Sequence, residues 1–230
     1  MCDCRGNASR PTAATTRWRP NGSSRAVRRL VAPRLVVASS SSVYGNADAY
    51  PVSESDPTEP FSPYGVTKLA AEKLCHAYAE NWSVPVLALR YFTVYGPRQR
   101  PDMSIHRMIE AALTGTPFPL YGAASYWREF TYVDDVVDAT LRAADTELAP
   151  ATVLNVAGGE SARIGDLIEL VGKHVGDEVI VDEQPAKPGD AYRNGGSTAR
   201  ARQLLGWAPR TSLDEGLERQ VAWHRTLAGR

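Results

Sequence analysis

Tyr64 and Lys68 are the residues of this chain best placed to do chemistry. In a helix, residues four apart lie one turn from each other on one face. The ammonium of Lys68 can then hold the phenol of Tyr64 partly ionised, which makes tyrosine a usable base near neutral pH. The pair follows the run Ser39-Ser40-Ser41-Ser42-Val43-Tyr44-Gly45. No glycine-rich strand-to-helix turn precedes it, so the usual cradle for a dinucleotide pyrophosphate is not seen upstream. A surface helix pair with no chemistry is the other reading of the same two residues, and the spacing alone does not choose.

The pair needs a scaffold. Leu35-Val36-Val37-Ala38 is a short apolar run ending in small polar residues, as a buried parallel strand does at its C-terminal edge. Residues 46–62, with Pro51, Pro57 and Pro60, read as a loop. Ser62 caps a helix with Pro63 in its first turn, and the helix runs from Tyr64 to about Asn81. Leu69, Ala70, Leu74 and Tyr78 give it an apolar stripe. Val84–Tyr91 reads as the next strand, with Pro85 at its start. Further strands are expected at 118–121, 130–133, 152–156 and 179–181. Helices are expected at 105–114, 135–144 (capped by Asp134), 164–174, 198–205 and 213–227. Strands alternating with helices mean an α/β fold with a parallel sheet.

Composition narrows the function. The chain has 230 residues, 43% of them hydrophobic, and its charges balance to zero. This gives no argument for nucleic acid or an acidic membrane surface as partner, and no apolar run approaches a membrane span. Cys2, Cys4 and Cys75 are too few for a disulfide framework, which points to a reducing compartment such as the cytoplasm. The four histidines, His76, His106, His174 and His224, show no ligand spacing, so no metal is expected. One asymmetry remains. Residues 1–34 carry arginine at 5, 10, 17, 19, 25, 28, 29 and 34 against Asp3 alone. Such a composition is shared by organelle leaders, but Pro11, Pro20 and Pro33 argue against an amphipathic leader helix. Residues 1–33 are expected to be a disordered Arg-rich segment.

Seven blocks carry a resemblance. They are Ser39–Gly45, Tyr64–Lys68, Leu89–Pro97 (Leu-Arg-Tyr-Phe-Thr-Val-Tyr-Gly-Pro), Arg128–Asp135 (Arg-Glu-Phe-Thr-Tyr-Val-Asp-Asp), Asn155–Gly159, Lys187-Pro188-Gly189-Asp190 and Leu204–Pro209. In this order the chain resembles the extended short-chain dehydrogenase/reductase superfamily, and within it the NAD-dependent epimerase/dehydratase family acting on nucleotide sugars. The resemblance implies a partial Rossmann-like parallel sheet with helices over 34–225, plus a small C-terminal α/β substrate-binding region. Substrate-binding elements would lie mainly in 97–130 and 160–225. It begins at Leu35–Ala38, which looks like the family's fourth strand. The expectation is a chain lacking the half that holds the Gly-rich turn.

The resemblance also implies roles. Tyr64 would be the catalytic base, Lys68 its electrostatic partner and a ligand of the nicotinamide ribose, and Ser40 the hydroxyl partner of the reacting oxygen. Ser39, Tyr91 and Phe92 would join Tyr64 and Lys68 in binding NAD. Ser41 and Ser42 stand where sugar dehydratases of the family carry an Asp-Glu pair; serines cannot replace those acids, which favours an epimerase. Thr93, together with Arg98–Met103, is similar to the UDP-glucuronate 4-epimerases, where Thr93 and Arg100 would approach the sugar carboxylate. Arg98 and Arg100 as solvated loop arginines are the plainer alternative. Arg128 and Lys187 would take the UDP diphosphate and Asp190 the uridine ribose. Asp134 and Asp135 read as a helix cap and a first-turn acid.

The function expected is therefore 4-epimerisation of UDP-glucuronate, with UDP-glucose as the runner-up substrate. A homodimer through helix 64–81 is implied by the family. A truncated homologue that only binds sugar nucleotide or dimerises is the remaining alternative, since a parallel sheet without its neighbours leaves an open edge.

Overall fold

The computed structural model of the chain describes residues 34–186 and 192–228. The Arg-rich segment 1–33 and the candidates Lys187 and Asp190 lie outside the described residues. In chain order the elements are β1 (Leu35–Ser40), a 3-10 turn (Ser41–Val43), α1 (Pro63–Trp82), β2 (Val86–Tyr91), β3 (Thr93–Tyr95), α2 (Ser104–Thr114), β4 (Phe118–Tyr121), β5 (Trp127–Tyr132), α3 (Val133–Asp145), β6 (Thr152–Val156), β7 (Ser161–Arg163), α4 (Ile164–Val175), β8 (Val181–Gln184), α5 (Ala199–Leu205) and α6 (Leu213–Ala228).

A parallel sheet in the order β1-β2-β6 carries the site. Leu35 pairs with Val86 and Leu87 with Thr152, so all three strands point their C-terminal ends the same way. The central strand β2 is buried up to Tyr91, as expected of a strand with neighbours on both sides. Its side chains alternate. Leu87 and Leu89 pack with Val136 and Ala139 of α3, Ala201 and Leu205 of α5, and Trp207. Val86, Ala88 and Arg90 turn to the side of α1. Among the described residues β1 has a neighbour on one side only.

The helix α1 starts as its sequence requires. The Ser62 hydroxyl accepts from the Gly65 N–H at 3.1 Å, Pro63 stands in the first turn, and Ser83 closes the helix in the left-handed region at φ 54°. Of its expected apolar stripe, Leu69 packs on the Val43–Tyr44 cluster but the rest faces the other way. Ala70, Leu74 and Tyr78 are exposed, in line with Val66 and Trp82. The sheet side is taken instead by Gly65, Glu72 and Ala79. Periodicity finds an apolar face, not what covers it.

The second core is α-rich. Ile105, Met108 and Ile109 of α2, Leu167 and Val171 of α4, and Leu217 and Val221 of α6 surround Phe130 and Tyr132 of β5. Around it lie the sheet β3-β5-β7 and the parallel pair β4-β8. The short strands β3 and β7 have no alternating pattern long enough to be read beforehand, and the strand expected at 179–181 sits at Val181–Gln184. Asp134 does not cap α3. β5 runs directly into the helix, Tyr132 takes the cap position and both aspartates fall in the first turn. Asp135 is buried, and its carboxylate accepts from the N–H groups of Arg210 and Thr211 at 3.2 and 3.0 Å. The Trp207 indole donates to the Asp135 carbonyl at 3.0 Å. Asp135 thus pins the Gly206–Ser212 connection to the start of α3.

Candidate functional site

β1 and β2 end side by side at Ser40 and Tyr91, and the chain beyond each strand turns outward. This opens a cleft of about 740 Å³. Every candidate among the described residues lines it: Ser39, Ser40, Ser41, Ser42, Tyr64, Lys68, Tyr91, Phe92, Thr93, Arg100 and Arg128. They come from β1 and its 3-10 turn, the first two turns of α1, the β2–β3 junction, the loop after β3 (Arg100) and the start of β5 (Arg128).

The helix face anticipated for Tyr64 and Lys68 forms. The Lys68 ammonium lies 5.6 Å from the centre of the Tyr64 ring, within cation–π reach. Lys68 also donates to the Ala38 carbonyl at 2.8 Å, which ties α1 to the end of β1. Tyr64 stands 54% exposed, its ring at the mouth of the cleft. The Ser40 hydroxyl accepts from the Ser42 N–H and donates to the Ser42 hydroxyl, both at 3.1 Å. Ser41 begins the 3-10 turn that this contact caps.

Behind the serines lies a buried polar network that the sequence reading did not single out. Ser39 donates to the Glu72 carboxylate. Glu72 takes a two-pronged contact from Arg90, Nε at 3.0 Å and Nη2 at 2.8 Å, with both side chains almost wholly buried. Arg90 Nη1 donates to the Tyr44 hydroxyl at 2.8 Å, and that hydroxyl donates to Asn155 at 2.7 Å. Burial pushes the Tyr44 phenol up despite the Arg90 charge. Burial alone would lower the Arg90 pKa, but its bonds to Glu72 and Tyr44 more than offset this and raise it. The network joins the C-terminal ends of β1, β2 and β6 under the cleft floor. Its one legible sign was Arg90, a cation inside an otherwise apolar strand, which demands a buried partner.

The other side of the cleft is differently held. Arg100 points to solvent and pairs with Asp102 through Nε at 3.1 Å and Nη2 at 3.0 Å. Arg128 Nη1 donates to the Trp127 carbonyl at 2.9 Å, and its guanidinium lies over the Tyr126 ring. Thr93 accepts from the Asn194 amide at 3.4 Å. The Tyr91 hydroxyl is engaged by Thr140 at 2.8 Å, so the part of Tyr91 turned to the cleft is not its hydroxyl. Phe92 is buried. Over it lies the segment 192–197, held by Glu129, whose carboxylate accepts from the N–H groups of Gly159 and Gly196. Burial raises the Glu129 pKa, and these two bonds offset only part of that rise. A Cβ at Gly196 would stand 2.3 Å from the Phe92 ring, so only glycine lets this segment lie flat on it.

No Asp, Glu, His or Cys lines the cleft among the described residues. Its ionisable groups are tyrosines, Lys68 and the arginines 98, 100 and 128. Elsewhere, the histidines are not all scattered as the sequence suggested: His106 and His224 meet face to edge beside Glu110, because α2 and α6 pack together.

Known proteins are similar to this chain in sequence and fold. A probable UDP-glucuronate 4-epimerase of Rhizobium meliloti is 35% identical over 216 residues, covering 85% of this chain and 63% of the relative. An uncharacterised UDP-glucose epimerase of Bacillus subtilis, YtcB, is 37% identical over 193 residues, covering 84% and 61%. The crystal structure of UDP-glucuronic acid 4-epimerase from Bacillus cereus, in complex with UDP-glucuronic acid and NAD, superposes with a TM-score of 0.81 at 39% identity, covering 84% of this chain and 62% of that one. The chain therefore spans about six-tenths of the length of the relatives it matches. The family model described as GDP-mannose 4,6 dehydratase matches residues 23–220, and with the fold and cleft above it means that this chain belongs to that family, within the extended short-chain dehydrogenase/reductases.

Proposed function

We propose that the protein is an NAD-dependent nucleotide-sugar 4-epimerase whose substrate is UDP-glucuronate. The observation that carries this reading is the cleft's chemistry. It offers one tyrosine–lysine pair and several arginines, with no carboxylate among the described lining residues. Eliminating water from a sugar needs a general acid besides the base, and Ser41 and Ser42 cannot supply one. Epimerisation through transient oxidation needs a single base. A cationic cleft suits a substrate with a carboxylate and a diphosphate.

When bound, NAD would accept the hydride from C4 and return it to the opposite face of the ring. The described residues fit its nicotinamide half. Lys68, already held on the Ala38 carbonyl, keeps N–H groups for ribose hydroxyls, and Ser39, Tyr91 and Phe92 border the same strand ends. Tyr64 takes the proton of the C4 hydroxyl, and Lys68 stabilises the phenolate. Ser40 hydrogen-bonds the reacting oxygen. Thr93 and Arg100 receive the sugar carboxylate, for which Arg100 must leave Asp102. Arg128 and Lys187 bind the diphosphate and Asp190 the uridine ribose. Residues 97–130 and 160–225 of the 34–225 domain supply most substrate contacts.

Two further features belong to this reading. The exposed line Val66, Ala70, Leu74, Tyr78 and Trp82 on α1 supports a homodimer through that helix. The half-buried, free thiol of Cys75 supports a cytoplasmic location. No described helix is long and apolar enough to cross a membrane. UDP-glucose is the second substrate reading, favoured by Arg100 already being engaged with Asp102. The edge of β1, paired on one side only among the described residues, favours, as a third, a module that binds sugar nucleotide or dimerises without turnover.

Titrating the purified chain with NAD by calorimetry and then supplying UDP-glucuronate tests the proposal. Micromolar NAD binding and appearance of the C4 epimer, faster than from UDP-glucose, are expected. No binding at millimolar NAD would overturn the enzymatic reading for this chain.

A further inference from the structure

His106, Glu110 and His224 lie outside the cleft, and nothing in the proposed chemistry uses them. His106 and Glu110 are four apart on α2, so their side chains share one face. His224 reaches the same place from α6 and is fully buried. The imidazole rings meet with centroids 4.5 Å apart and planes at 62°. His224 Nε2 lies 3.9 Å from a Glu110 carboxylate oxygen. One donor atom from each of the three residues falls within 4.8 Å of the others.

Two facts make this more than a packing contact. His106 Nδ1 and His224 Nε2 are both shut off from solvent and have no hydrogen-bond partner in the protein. An unpaired buried polar atom is costly and needs an explanation. Second, the His224 ring is already oriented. Its Nδ1 is 2.9 Å from the Gln220 carbonyl of its own helix. A carbonyl only accepts, so Nδ1 carries the proton and Nε2 presents its lone pair toward Glu110. A backbone carbonyl fixing one ring nitrogen while the other is aimed at a shared point is how metal-binding histidines are held.

We propose that His106, Glu110 and His224 form a binding site for a divalent transition metal of the zinc class, which joins α2 to α6. Two imidazoles and a carboxylate suit zinc, with water as the fourth ligand entering on the half-exposed side of Glu110. Ligand bonds of about 2.0–2.2 Å place donors roughly 3.3 Å apart, so the triangle contracts as it closes on the ion. The site stands apart from the sugar chemistry and holds whether or not the epimerase reading does.

The site is also wired to the cleft. The His106 N–H donates to Gln99, which accepts from Gln220 as well, and Gln220 accepts from the Gly96 N–H at 2.9 Å. Gly96 and Gln99 border the cleft. A metal bracing α2 on α6 therefore steadies the loop that carries Arg98 and Arg100.

The test uses the full chain, stripped with a chelator, in a Cys2→Ser/Cys4→Ser background so that the N-terminal thiols do not compete. Zn²⁺ is titrated by calorimetry, and Co²⁺ by its visible absorption, which is intense only in a four-coordinate site. One ion per chain with a tetrahedral Co²⁺ spectrum is expected. Glu110→Gln, at a half-exposed position that leaves the core intact, should weaken Zn²⁺ binding by at least about tenfold, and His224→Gln by about 100-fold or more. His174→Gln, at the separate contact with Asp214, should change nothing. Absence of a stoichiometric site, or equal affinity in the parent and Glu110→Gln, overturns the proposal.

Discussion

On the strand side of the cleft, Ser39 and Ser40 end β1 among buried neighbours, and Lys68 is anchored to the Ala38 carbonyl above the Glu72–Arg90–Tyr44–Asn155 network. On the loop side, Arg100 stands 74% exposed on a surface pair with Asp102. One side is fixed by charges that have no water to turn to. The other is held by contacts that solvent can replace at little cost. Under the proposed function the difference matches two tasks. A proton acceptor must be placed to a fraction of an ångström, whereas groups that grasp a substrate's periphery can close on it as it arrives.

The largest test of the comparison is Tyr64→Phe. It should cut turnover by about 10²- to 10⁴-fold, the range for a lost general base, while UDP-sugar affinity measured by calorimetry stays within about twofold. Unchanged turnover would remove the base from the rigid side. Arg90→Met comes next. It strands Glu72 as an uncompensated buried charge, and chemical denaturation should show a loss of about 3–5 kcal/mol. A loss below about 1 kcal/mol would mean that the floor is not braced by this pair.

Arg100→Ala probes the loop side. Stability should hold within about 0.5 kcal/mol, and kcat/KM for the uronate should fall at least about tenfold more than for the neutral sugar, since charge-assisted bonds contribute about 1.5–3 kcal/mol. Equal losses would return Arg100 to the surface. A subtler contrast comes from pH. His224 is driven by burial below its ordinary 6.5, so as pH falls the unfolded chain takes up this proton before the folded one. The stability contributed by keeping His224 neutral is present above about pH 6.5 and is lost below it, at up to about 1.4 kcal/mol per pH unit for one proton. His224→Gln should flatten that slope in chelator-treated protein. An unchanged slope would place the titrating group elsewhere.

Much of the site was legible because its residues are local in sequence. Ser62 and Pro63 announce α1, and a spacing of four sets Tyr64 over Lys68 without knowledge of the tertiary fold. The end of β1 was legible as an apolar run giving way to small polar residues, and β2 as the strand Val84–Tyr91 opened by Pro85. What stayed hidden depends on long-range pairing. Tyr44 meets Asn155, Glu129 meets Gly196, and His106 meets His224 only once the sheet and the second core have formed. The outward turn of Leu74 and Tyr78 was hidden for a different reason. The face of α1 against the sheet is occupied by Gly65, Glu72 and Ala79, and the acid enters because Arg90 requires it. Hydrophobicity alone would have chosen the opposite face.

The flat seat of Gly196 on the Phe92 ring has a genetic consequence. Glycine there satisfies a close approach and a hydrogen bond to Glu129 at once, yet it lies far along the chain from Tyr64 and Lys68. A single methyl at 196 strains one contact while leaving the reacting groups chemically whole. Position 196 is thus a natural place for a temperature-sensitive allele, one whose product folds in the cool and is lost on warming.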